Sequence, residues 1–254
     1  MDSTKDAYII SYLDFRKAVG IVAIALPLVV RAGAKYFEHI PMLDSVSSYY
    51  YTSMRDVFVG LLVAVGVFLL FYRGVKAWDT ILVAALGLVV ISIALLPMDP
   101  TYSPVIRAAH PGVDTPACYA NHGPLKFHDG VSAVFFALMS FIVIFRFPQT
   151  KELFITPQKQ RRNLIYAICG ATMALCVVRI VWQLKHDGSI FWPETVAIAA
   201  FGIAWLIKGQ LVVRDDEAER EIPATPSNLW AWGKGTPRRL WRLIPQPRVA
   251  GPAV

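Results

Sequence analysis

Six long apolar stretches, each bounded by short polar connections, dominate the chain: residues 18–30, 57–72, 80–96, 131–145, 164–182 and 190–213. A helix crossing the hydrocarbon core needs about 20 residues, within a range of about 17–25. In lipid only helices and closed barrels satisfy their own backbone, and continuous apolar runs exclude the alternating pattern of a barrel. The fold class expected is therefore all-α: a polytopic transmembrane bundle of six spans over residues 1–213, followed by a tail over residues 214–254. Composition agrees, with 56% hydrophobic and 17% charged residues against about 45–50% and 25% in soluble domains.

The first stretch resembles a signal peptide in having Lys17 before a short apolar core and Ala32-Gly33-Ala34 after it. Asp2, Asp6 and Asp14 are unusual in such a leader, so a retained first helix is expected, bent at Pro27.

Orientation follows from the basic residues. With six crossings, 18 of the 25 lysines and arginines fall on the side of the two termini. Lys5, Arg16, Lys17, Arg73 and Lys76 lie there, as does the run from Arg146 to Arg162. Positively charged loops stay inside, which puts both termini in the cytoplasm of a bacterial inner membrane. The formal charge of +7 is thus used for orientation, and no nucleic-acid partner is expected because no soluble basic face carries it. Trp230, Trp232 and Trp241 beside Arg238, Arg239 and Arg242 suit a tail lying on an anionic leaflet, membrane lipids being the expected partners alongside a possible protein partner.

All five histidines (His39, His110, His122, His128, His186) then fall on the outer side, with the longer connections 33–53 and 98–127. The stretch 57–72 spans only about 24 Å at ~1.5 Å per residue, so its helix should start earlier and bring Arg55 and Asp56 to the membrane edge. By the same argument His128 and Asp129 enter the first turns of the fourth helix. Arg179 falls in the last turn of the fifth and Glu194 in the first turn of the sixth. Charges at that depth are costly unless paired or facing a wet cavity. Two readings follow: an Arg–carboxylate lock on the bundle, or a site in which Ser48, Arg55, Arg179 and Glu194 bind a lipid headgroup or small polar molecule. In the second, His128, Asp129 and Asp56 are the candidate catalytic groups.

Ser48, Thr52 and Asp56 repeat every four residues and would share one helical face. Tyr49, Tyr50 and Tyr51 suit an interfacial aromatic belt. Asp79 reads as the N-cap of the third helix, with Trp78 as its anchor. His110, Asp114, Cys118 and His122 are also spaced by four, but Pro111, Gly112 and Pro116 argue against a helix there. A zinc site built on His122, His128 and Asp56 is the corresponding cofactor expectation. Cys169 and Cys176 read as packing residues. A transporter would show inverted halves or broken helices, and neither is clear.

The segments Ser47-Ser48-Tyr49-Tyr50-Tyr51-Thr52-Ser53-Met54-Arg55-Asp56, Ala94-Leu95-Leu96-Pro97, His122-Gly123 and His128-Asp129-Gly130 resemble a group of bacterial six-span membrane proteins without an assigned activity. That group is similar in layout to the DRAM-type six-span proteins, and the resemblance implies a six-helix bundle. A more remote similarity is to transmembrane metal hydrolases of the alkaline ceramidase type, which use a Ser, an Asp and three His around zinc. Ser48, Asp56 and His128 match that pattern, whereas the late His-x-x-x-His pair has no counterpart and His186 stands alone.

Overall fold

The computed structural model describes residues 3–74, 76–98, 105, 123–149, 154–186, 188–210 and 222–223. Six α-helices organise these residues: α1 (Ser3–Glu38), α2 (Arg55–Leu70), α3 (Ala77–Leu95), α4 (Gly123–Phe141), α5 (Pro157–Leu184) and α6 (Phe191–Lys208). A 3-10 turn, Ser47–Tyr51, precedes α2, and a π-helical turn, Ile142–Arg146, continues α4. One two-residue ladder pairs Phe154 with Pro223 and Ile155 with Ile222, antiparallel.

Each helix packs on the next in sequence, and α6 packs back on α1, so the six close into a ring. Contacts at the helix ends show that directions alternate. Arg16, in the N-terminal half of α1, donates to the carbonyl of Lys208, the last residue of α6, at 3.2 Å. At the opposite end His128 of α4 meets the carbonyl of Leu96, which follows α3, at 2.6 Å. We refer to these as the Asp79 end and the turn end.

Four segments are long and apolar enough to cross a membrane: Tyr12–Glu38, Ala77–Leu95, Pro157–Leu184 and Phe191–Lys208. Gly130–Arg146 is a shorter apolar helix, and α2 has 16 residues of high hydrophobicity. The outer faces are apolar too. Ile81, Leu88 and Leu95 on α3 and Ile168, Leu175 and Trp182 on α5 are all more than half exposed. Their spacing of seven keeps each stripe on one side of its helix. Water does not tolerate continuous apolar stripes of that extent, and a bilayer does.

Glycines set how closely the helices approach. A Cβ on Gly20 of α1 would meet the Gly202 carbonyl oxygen of α6 at 2.6 Å, and one on Gly87 of α3 would meet the Gly66 carbonyl oxygen of α2 at 2.6 Å. These are backbone-to-backbone contacts of the kind that replaces the hydrophobic effect inside lipid. α1 runs through Pro27 as one helix and stops at His39, whose φ of 57° is a left-handed cap.

Three local expectations are corrected. The N-cap of α3 is Lys76; Asp79 is its third residue, and its carboxylate reaches back to the Lys76 N–H at 2.8 Å. Ser48, Thr52 and Asp56 share no helical face, because the 3-10 turn ends before Thr52, whose backbone is extended, and α2 starts afresh at Arg55. Tyr49 belongs to no interfacial belt; it is 1% exposed and packs its ring on Phe191, 5.9 Å between centroids. Burial pushes its phenol above the usual range, with the Leu43 backbone and Arg31 pulling the other way.

Candidate functional site

At the turn end the chain between α1 and α2 folds inward over the bundle. Ser45 and Ser48 place their hydroxyls 2.8 Å apart, and both lie 3.3 Å from the Met98 sulfur. The Tyr51 hydroxyl donates to the Met98 carbonyl. Thr52 returns its hydroxyl to the Tyr49 carbonyl at 2.8 Å and accepts the Met54 N–H. The start of α6 is tied to the same segment: Ile190 N–H donates to the Asp44 carbonyl at 2.7 Å, and Ser189 donates to that oxygen as well. Glu194, in the first turn of α6, accepts the Val46 N–H at 2.7 Å. An otherwise irregular loop thus satisfies its backbone through two serines, a threonine and two carboxylates, Glu194 and Glu38, the latter accepting the Ser53 N–H, as buried polar groups must.

Beneath this cap the ring leaves a partly open cavity with about 50 Å³ of free space, several times what one water needs. Val22, Ala23 and Leu26 line it from α1, Phe58, Leu62 and Val65 from α2, Val90 and Ile93 from α3. Ser132, Phe135 and Phe136 complete it from α4, and Glu194, Ile198 and Phe201 from α6. From Phe58 to Val65 it runs about 10 Å along the bundle at ~1.5 Å per residue. Among the described residues, its polar side chains are Ser47, Ser132 and Glu194. All three stand toward the turn end, because Ser132 and Glu194 are the first lining residues of helices that start there.

The residues singled out in the sequence divide accordingly. Ser48, His128 and Glu194 are buried. Ser48 is held by Ser45, His128 by the Leu96 carbonyl, and Glu194 by Val46. Arg55, Asp56 and Arg179 are exposed. Arg55 covers the Tyr50 ring at 4.5 Å and donates to its hydroxyl, and Arg179 lies over Trp182 at 4.4 Å. His186 stacks on Trp182. The charged residues therefore form no single layer: the arginines lie against aromatic rings on the outer surface, while the buried groups face inward. The Asp129 side chain, His110, Asp114, Cys118, His122 and the tail after Pro223 lie outside the described residues. Among the described residues no three His, Cys, Asp or Glu side chains gather as a metal would require; the proposed His128–Asp56 pair joins a buried group to an exposed one.

The Asp79 end carries a second polar network, whose basic members served in the sequence only for orientation and whose Asp79 was expected only as a helix cap. Arg146 forms an ion pair with Asp79, its Nε donating at 2.6 Å. The π-helical turn brings this about: Phe147 N–H reaches the Ile142 carbonyl at 3.0 Å, and the extra residue swings Arg146 inward toward α3. The Phe147 carbonyl then accepts Lys208 Nζ at 2.9 Å, and Lys208 lies over the Phe147 ring at 5.1 Å. Trp205 packs edge-on against both Tyr72 and Phe147. A signal existed in the sequence, since Lys208 interrupts an apolar run that continues to residue 213.

No known protein family, curated protein or solved structure matches this chain.

Proposed function

We propose that this chain is a six-span protein of a bacterial cytoplasmic membrane, with both termini inside, that takes the hydrocarbon part of a lipid-class ligand into its central cavity from the outer side. The cavity carries this reading: it is narrow, apolar along most of its length and polar at one end, which is the profile of an amphiphile. Support for the orientation comes from the 18 basic residues of 25 on the side of the termini. The alternating helices and their exposed apolar stripes support six crossings. The serine–tyrosine cap then faces outward, and the Asp79–Arg146 pair faces the cytoplasm.

Cysteine labelling tests the topology. In a chain with Cys118, Cys169 and Cys176 replaced, Ser53→Cys should react with an impermeant maleimide in intact cells. Ala77→Cys should react only after permeabilisation; the reverse pattern overturns the orientation. Native mass spectrometry of protein released from lipid nanodiscs tests the ligand. Bound single-chain lipid should be present in the parent and in Leu88→Phe, on the exposed face, and absent in Ala23→Phe, which fills the cavity. Equal retention in all three overturns the cavity reading.

A further inference from the structure

The wall of the cavity is not equally tight all round. α1 meets α6 backbone to backbone at Gly20 and Gly202, and α2 meets α3 in the same way at Gly66 and Gly87, where a Cβ on Gly66 would lie 2.9 Å from the Gly87 carbonyl oxygen. Gly20, Gly66 and Gly202 stand one or two residues from Val22, Val65 and Phe201 of the cavity wall, so those two seams are closed at the depth of the cavity. Between α1 and α2 the contacts are side chain on side chain, and they gather at the two ends. At the turn end Gly33 takes the Met54 side chain. At the Asp79 end Tyr12 stacks on Tyr72 with centroids 6.0 Å apart, and Phe15 meets Phe68 edge-on at 5.5 Å. Arg16 lies over both tyrosines, 4.3 Å and 5.5 Å from their centroids.

These aromatic pairs fix the register of two antiparallel helices. Seven residues on from Phe15 stands Val22, and seven back from Phe68 stands Leu61, so the two share one level of the seam. Leu61, Phe68 and Tyr72, spaced by seven and four, lie on the side of α2 turned to α1. Val22, Leu61 and Leu62 all line the cavity, and all are partly exposed. The α3–α4 seam differs: Ser132 and Phe135 are partly exposed, but Val90 and Ile93 on α3 are buried. Gly60, beside Leu61, has open space where a side chain would stand. Leu61 is six residues from the start of α2 at Arg55, or about 9 Å at ~1.5 Å per residue. That is the depth of an acyl chain within one leaflet of a core about 30 Å thick.

Resting on the cavity reading and its orientation, we propose that the α1–α2 seam opens the cavity sideways to the bilayer, with Val22, Leu61 and Leu62 as its rim. The occupant is one hydrocarbon chain of a lipid already resident in the outer leaflet, which slides in between the helices while its head stays at the level of the cap. A chain crosses such an apolar rim without giving up hydration, whereas a polar head would lose its water on the way.

The test follows exchange in nanodiscs: the full chain, loaded with a single-chain lipid, is mixed with the deuterated lipid supplied in the bilayer, and native mass spectrometry reads the replacement. Leu61→Trp should slow exchange at least about tenfold, the effect of ~1.4 kcal/mol added to the barrier, and Leu61→Ala should speed it several-fold. The amount bound at the end should stay close to that of the parent in both, and Leu88→Phe should change neither quantity. Equal exchange rates in the parent and both Leu61 variants overturn the opening while the cavity reading stands. Loss of bound lipid in Leu61→Trp as complete as in Ala23→Phe also overturns it, because Leu61 is then wall and not rim. If Leu61→Trp fails to fold, Leu61→Ala decides alone, and an unchanged rate there sinks the proposal. A parent that holds no lipid overturns opening and cavity together, and a reversed cysteine-labelling pattern overturns the choice of leaflet.

Discussion

Glu194 and Val46 are 148 residues apart and meet through a carboxylate–N–H bond of 2.7 Å. That bond ties the first turn of α6 to the strand of chain leading into the 3-10 turn, and it places an ionisable group at the roof of an apolar cavity. A backbone donor in such a position has no water to fall back on, so its acceptor is structural whatever the cavity holds.

Replacing Glu194 by Ala should lower stability by about 1.5–3 kcal/mol, the range for a hydrogen bond to a charged group. Gln keeps an acceptor in place and should lose less than half as much. Thermal unfolding in a mild detergent checks this; equal losses for Ala and Gln would mean that Val46 finds another partner.

Gly87→Ala should destabilise by about 1–3 kcal/mol, as overpacking does, because its Cβ has a carbonyl oxygen of α2 at 2.6 Å. Gly60→Ala on the same helix pair has open space around its Cβ and should be neutral or stabilising. The contrast between the two melting curves is the measurement, and similar curves would refute the close approach of α2 and α3.

Asp79→Ala leaves the part-buried Arg146 without its countercharge, a change that should cost about 1–3 kcal/mol, less than in a fully buried pair. Adding Arg146→Met to it should recover a large part of the loss, since the two side chains share one bond network. A double-mutant cycle on unfolding decides; strictly additive losses would show that the pair is not coupled.

His128 fixes α4 against the end of α3 through the Leu96 carbonyl. His128→Phe should cost about 1–2 kcal/mol and expose residues beyond Leu96 to protease earlier than in the parent. Retained protection in that variant would assign the register to packing alone.

Apolar runs are legible from sequence because lipid imposes the same demand on every spanning residue, and α1 to α6 fall where those runs lie. The early start of α2 at Arg55 was legible too, from length alone. What sequence could not supply was the direction in which each polar side chain points. Arg55 and Arg179 sit at plausible depths yet turn outward onto Tyr50 and Trp182, whereas Glu194 turns inward onto a loop residue. The spacing of Ser48, Thr52 and Asp56 looked helical because period says nothing of a break, and the break falls at Thr52. Arg146 and Asp79 were missed as a pair because their meeting depends on one extra residue in the π-helical turn, which leaves no mark on hydropathy.

The glycine seam between α1 and α6 has a bearing on biogenesis. Neighbours along the chain can dock in the order in which they leave the ribosome, each against the helix made just before it. The seam of Gly20 with Gly202 is different, for it joins the first of the described helices to the last of them. Until α6 is made α1 has a bare flank, and the cavity, which needs α6 for one of its walls, does not yet exist. A ligand of the proposed kind would find its cavity only once α6 has docked.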